Sequence, residues 1–164
     1  MMHFTKKLLF LFIFFRCFTN YAQENKGKEV LNIFTFEEVE KLHQQKPKPI
    51  LVFLYTDWCK ICFGMKKTTF QNKEVIQLLN DAFYLIYLNG EEKNDILFLG
   101  NTYTYKPTGT TTGIHELANE LGIIKNRIAY PTTIILNTAF EIDVQLIGFY
   151  NSKKMTRMLT KYLN

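Results

Sequence analysis

Two cysteines, Cys59 and Cys62, stand three residues apart in the stretch TDWCKICFGM, directly after Trp58. Thiols at that spacing can close a small disulfide ring, share a soft metal ion or fill a core. Tetrahedral zinc would need two further donors. Beyond residue 22 the chain has no third cysteine, and its histidines there are His43 and His115, both at positions where capping or surface roles are expected. The run HELAN carries Asn119 where a zinc-protease helix has its second histidine, and Phe63 follows Cys62 where haem attachment requires one. No metal or cofactor is therefore expected, and metal binding stays as the weakest of the alternatives.

The elements around the pair fix its setting. ILVFLYT, residues 50–56, is a continuous apolar and β-branched run of strand length, as in a strand buried on both faces. CKICFGMKKTTF follows at once and has helical character from the first cysteine onward. A strand feeding a helix places the motif at the strand's carboxyl end, where open α/β sheets keep their ligand crevice. Upstream, TFEE matches a capping box with Thr35 as N-cap and Glu38 three residues on, opening a helix from Phe36 to about Gln45.

Downstream, Asn72 caps a helix over 73–80 that turns Val75, Ile76 and Leu79 inward, and FYLIYLN, residues 83–89, is a second buried strand. ILFLGNTYTYK suits a β-hairpin turning at Gly100-Asn101, and PTGTTTG is expected to be a loop. IHELANELGI has the period of a short amphipathic helix with Ile114, Leu117, Ala118 and Leu121 inward. AYPTTIILN and IDVQLIGFY predict an antiparallel strand pair, followed by a closing helix capped by Ser152.

The 164 residues are 47% hydrophobic and 15% aromatic, a composition for one globular domain. The first 22 residues carry Lys6-Lys7, an apolar run from Leu8 to Phe15 and a small residue at Ala22, the order of a secretory signal peptide cleaved after Ala22. Cleavage removes Lys6, Lys7 and Arg16 but no acid, so the formal charge falls from +5 to +2. With the basic excess gone, no nucleic-acid footprint and no membrane-surface face remain. The expected organisation is a signal peptide over 1–22, a flexible lead-in over 23–33 and one domain over 34–164 with an insert at about 90–113. A domain of that size hides roughly 70% of its unfolded surface and needs no disulfide staple.

WCKIC at a strand-to-helix junction, Tyr130-Pro131-Thr132 opening a later strand, and a β-hairpin plus terminal helix after it together resemble the thioredoxin superfamily over about Phe34 to Leu163. YTDWCKIC followed by TTFQNKEVIQLL is similar to the periplasmic electron-delivering domain of DsbD-type transmembrane reductases. The resemblance implies an α/β thioredoxin fold: a central mixed sheet flanked by helices, with a small β-hairpin insertion before the third main helix. It also implies a thiol-disulfide oxidoreductase of protein disulfides, working as reductase or isomerase in the periplasm or after secretion. Its partners would be protein thiols and disulfides and a membrane-bound or soluble redox protein.

Residue by residue, the resemblance makes Cys59 the nucleophile, its thiolate favoured by a helix N-terminus, and Cys62 the resolving thiol one turn later. Lys60 and Ile61 fill the ring between them, Lys60 adding positive potential. Trp58 is expected to pack beside the pair and limit solvent access, and Pro131 to follow a cis bond that presents the backbone of Tyr130 to an extended substrate. Asp57 matches an acidic residue common two places before the nucleophile. One departure stands out: Phe53 occupies the position, six before Cys59, where many thioredoxins bury an aspartate that moves the second cysteine's proton. The alternative function is a thioredoxin-fold binding module with an inert structural disulfide.

Overall fold

The computed structural model describes residues 29–164; the expected signal peptide and its cleavage point lie outside the described residues. The chain forms α1 (Phe36–Gln45), β1 (Ile50–Tyr55), α2 (Lys60–Thr68) with a 3-10 turn over Thr69–Gln71, α3 (Lys73–Ala82) and β2 (Tyr84–Asn89). After these come the short strands β3 (Ile96–Phe98), β4 (Asn101–Tyr103), β5 (Tyr105–Pro107) and β6 (Gly113–His115), and then α4 (Glu116–Gly122). β7 (Thr132–Leu136), β8 (Ile142–Ile147) and α5 (Ser152–Leu163) close the chain.

The main sheet has the order β2-β1-β7-β8, with β1 parallel to β2 and antiparallel to β7, so the sheet is mixed and β1 is interior. Strand alternation splits the core in two. Ile50, Val52 and Leu54 of β1 face one layer with Phe36 and Val39 of α1 and Leu117, Ala118 and Leu121 of α4. Leu51 and Phe53 face the other, with Met65 of α2, Val75 and Leu79 of α3, and Met155 and Leu159 of α5. Both cysteines belong to this second layer.

Local signals in the sequence explain most boundaries. The Thr35 hydroxyl accepts from the Glu38 N–H at 3.2 Å while the Glu38 carboxylate accepts from the Thr35 N–H at 2.8 Å, the reciprocal capping box. Asn72 caps α3 by accepting from the N–H groups of Glu74 and Val75, and the helix runs on to Ala82 rather than stopping at Asn80. At the end of the expected lead-in, Asn80 accepts from the Asn32 N–H and donates to the Val30 carbonyl, both at 2.9 Å. Phe34 then forms a parallel bridge to Ile86, its N–H donating to the Leu85 carbonyl.

The insert departs from its expected shape. It is two antiparallel ribbons, β3–β4 and β5–β6: the segment expected as a loop is one over 108–112, with its ends Pro107 and Gly113 taken into the second ribbon, and Ile114 lies in β6 while α4 starts at Glu116. The first ribbon turns at Leu99-Gly100, one residue earlier than expected, with φ of 52° and 75° at the two positions. Two successive positive φ values are the mark of a tight ribbon turn, and the Glu40 carboxylate of α1 accepts from the Leu99 N–H to hold it there. The cap of α5 is Asn151, whose side chain accepts from the Lys154 N–H at 2.9 Å, and Ser152 is the first helical residue.

Candidate active site

β1 runs out at Tyr55, and Thr56, Asp57 and Trp58 carry the chain over the sheet's end to Cys59. The Cys59 N–H donates to the Thr56 carbonyl at 3.2 Å, and Cys59 takes the N-cap position of α2 with extended backbone. Its sulfur does the work a serine or aspartate oxygen does at other helix starts: the Cys62 N–H donates to Cys59 Sγ at 3.1 Å. The same two residues are joined by a disulfide with 5.2 Å between their α-carbons. The first turn of α2 carries no acid and its last turn carries Lys66 and Lys67, so the dipole's positive end points at Cys59 uncompensated. Both are buried, Cys59 at 7% exposure and Cys62 at 1%, so Cys59 is the more accessible residue of the two.

The Tyr130–Pro131 peptide bond is cis and leads into β7, the strand beside β1 in the sheet. The Tyr130 ring meets Trp58 edge-on, with centroids 5.7 Å apart. Gly90, just past β2, makes room for that ring, since a β-carbon there would lie 2.2 Å from the Tyr130 hydroxyl. Burial, with the Glu91 charge adding to it, pushes the Tyr130 phenol up to about 12. Trp58 itself is 64% exposed, with Tyr130 as its ring partner among the described residues. Ile61 and Phe63 are comparably exposed, and Lys60 is exposed as well, so the rim of the site is apolar with a cation on it.

Asp57 is exposed and accepts a hydrogen bond from Asn89 Nδ2 at 3.0 Å, which ties the turn to the end of β2. Phe53 is fully buried and packs against Phe70 and Tyr87, with centroids 4.9 and 5.4 Å away. Lys66 covers this aromatic group, its amine 2.9 Å from the centroid of Tyr55 and 4.9 Å from that of Tyr87. Burial holds the Lys66 ammonium well below its ordinary value, at about 8, with Asp57 pulling the other way. Lys66 and Gly90 were not singled out by sequence reasoning, and Phe63 figured there only as the residue that excludes haem attachment. The signal for Lys66 was its spacing, seven residues after Cys59 and four after Cys62 on one helix.

The two histidines do not approach the sulfurs as a set. His43 Nε2 lies 3.0 Å from the Thr138 carbonyl and its ring packs on Phe140. His115 is wholly buried and caps α4, its Nδ1 accepting from the Leu117 N–H. Among the described residues no group of three His, Cys, Asp or Glu side chains is placed to hold a metal ion.

The fold is shared with known proteins. The family model described as thioredoxin-like matches residues 30–109. A solved thioredoxin from Thermus thermophilus superposes with a TM-score of 0.57 at 18% identity, over 81% of this chain and 87% of that one. The chain has the thioredoxin fold. With the same fold, the reduced DsbD C-terminal domain of Neisseria meningitidis superposes with a TM-score of 0.51 at 18% identity, over 79% of this chain and 98% of that domain. A thiol:disulfide interchange protein DsbD from Colwellia psychrerythraea is 33% identical over 67 residues, 41% of this chain. The match spans 11% of that larger protein.

Proposed function

We propose that this chain is a member of the thioredoxin superfamily and a thiol-disulfide oxidoreductase acting on protein disulfides through Cys59 and Cys62, as a reductase or isomerase in the periplasm or outside the cell. The observation that carries the reading is the placement of the Cys59 sulfur, which caps a helix and is bonded to a sulfur buried behind it. In the reduced protein the same N–H and dipole favour a Cys59 thiolate. That thiolate attacks a substrate disulfide, forming a Cys59–substrate disulfide and expelling one substrate thiolate. Cys62 then attacks Cys59 Sγ, its proton leaving, and the second substrate thiolate departs as the Cys59–Cys62 bridge closes. Two electrons pass from the pair to the substrate, so a partner dithiol must reduce the bridge again.

The names of the DsbD relatives motivate the choice of a redox partner, membrane-bound or soluble, as electron source. The expected signal peptide motivates the compartment, and among the described residues no helix is long and apolar enough to cross a membrane. The exposed Trp58, Ile61 and Phe63 would contact the apolar parts of an unfolded or extended client, with Lys60 at the rim and the backbone of Tyr130 beside the cis Pro131 as its strand-like partner.

The test is a redox equilibrium against glutathione and dithiothreitol, read by fluorescence of the chain's single tryptophan, Trp58, in the intact protein and in Cys62→Ala. The intact protein is expected to exchange reversibly, and Cys62→Ala to accumulate a mixed disulfide on Cys59. A bridge that resists mild reductant, with no adduct trapped in the variant, would return the chain to the binding-module reading.

A further inference from the structure

Resolution requires the Cys62 thiol to lose its proton inside an apolar layer. The apolar residues clustered with it include Leu51, Phe53, Met65 and Phe70. Among the described residues no carboxylate is buried, and the two buried histidines are engaged elsewhere, His43 with Thr138 and Phe140 and His115 at the start of α4. Tyr55 and Tyr87 border the same layer, but burial raises both phenols above the ordinary tyrosine value, so they keep their protons. Asp57 lies out in solvent, engaged by Asn89. Glu92, which adds to the negative potential at Tyr55, is occupied by the N–H groups of Lys93 and Asn94.

That leaves one group. Lys66 follows Cys62 by four residues and so shares its helix face, with β-carbons about 5–6 Å apart at this spacing, a gap that a lysine stem spans. Its amine rests on the Tyr55 and Tyr87 rings, and among the described residues it makes no salt bridge. Resting on the oxidoreductase function above, we propose that Lys66 is the proton acceptor for Cys62, taking the thiol proton directly or through one water as Cys62 attacks the mixed disulfide on Cys59. The S–H proton moves to Lys66 Nζ, the Cys62–Cys59 bond forms, the Cys59–substrate bond breaks, and the ammonium returns its proton to the departing thiolate or to solvent. An amine works as such a base when its neutral form is accessible near the operating pH, and the aromatic, half-buried seat of Lys66 supplies that condition. The lysine thus answers the loss of the aspartate at position 53.

The two steps separate when reduced protein is mixed with a symmetrical aromatic disulfide whose thiol product absorbs visible light. The first equivalent released reports attack by Cys59, the second attack by Cys62. In the intact protein the second phase is expected to rise with pH to a plateau with an inflection near 8, absent from the first phase. Lys66→Met should leave the first phase within about twofold and slow the second at least tenfold at pH 7, with no plateau. Lys66→Arg keeps the charge but cannot release a proton, so it should be as slow as Lys66→Met. Full speed in either variant overturns the proposal, and so does an intact protein whose second phase lacks the inflection, a measurement that needs no variant to fold. Asp57→Asn reproducing the Lys66→Met profile would move the role to the carboxylate and overturn it equally. Failure of the first phase, by contrast, counts against the oxidoreductase function and leaves the lysine aside.

Discussion

Cys59 has two duties at one atom: its sulfur closes a covalent ring and satisfies the first free N–H of a helix. In the reduced protein the second duty persists, so the thiolate should form well below an ordinary cysteine's 8.5, within the roughly 3.5–7.5 range of such settings. Alkylation followed by mass spectrometry across pH should therefore modify Cys59 below neutrality while Cys62, buried behind it, stays protected; reaction of Cys59 only near 8.5 would contradict the role of the cap. The pair and the turn before it were legible from residue types and spacing, because a C-x-x-C after a buried strand has few physical interpretations; the cis bond at Pro131 came from the family resemblance. The exposure of Trp58 was not legible, since it depends on Tyr130, seventy-two places away in sequence, and on the absence of a side chain at Gly90. The consequence of Phe53 was half legible: the missing acid could be read from one strand, whereas the lysine over Tyr55 and Tyr87 required two strands and a helix to be assembled.

Helices and strands of the main sheet could be read because each carries a strong period and a cap close by, and the errors fall where two residues compete for one job. Asn151 and Ser152 both have the chemistry of an N-cap, and the structure gives the role to Asn151. Asn151→Ala is accordingly expected to cost about 1 kcal/mol of stability and Ser152→Ala only a few tenths, as read by urea denaturation. The reverse ranking would put the start of α5 one residue later. The insert was harder for a related reason: three-residue strands are too short to show a period, and their pairing comes from contacts outside themselves. The Leu99 N–H is held by Glu40 of α1, the His115 N–H donates to the Gly90 carbonyl at 2.8 Å, and Glu116 accepts from Thr104 and lies 3.1 Å from Lys106. The ribbons thereby lean on α1 and on the end of β2, beside the glycine that admits Tyr130.

At the scale of the whole molecule, burial displaces protons in opposite senses. Lys66 is protonated more weakly in the folded chain than in the unfolded one, so between about 8 and its ordinary 10.5 the unfolded chain holds more protons and stability rises with pH. The buried phenols of Tyr130 and Tyr162, each pushed up to about 12, act the other way: above pH 10 the unfolded chain loses protons that the folded one keeps, and stability falls. Denaturant midpoints should therefore climb from pH 8 toward 10 and drop beyond it, and Lys66→Met should flatten the climb while sparing the drop. A climb that survives in the variant would place its source elsewhere.

The clasp of Asn80 on Val30 and Asn32, with the bridge from Phe34 to Ile86, has a consequence for how the molecule meets its own copies. β2 is a border of the main sheet, and unpaired backbone along such a border invites strand-to-strand stacking between molecules. The residues just ahead of the first helix act as a selvedge on that border, so trimming the chain back to Phe36 is expected to leave Cys59 and Cys62 untouched and to make the protein more prone to clump.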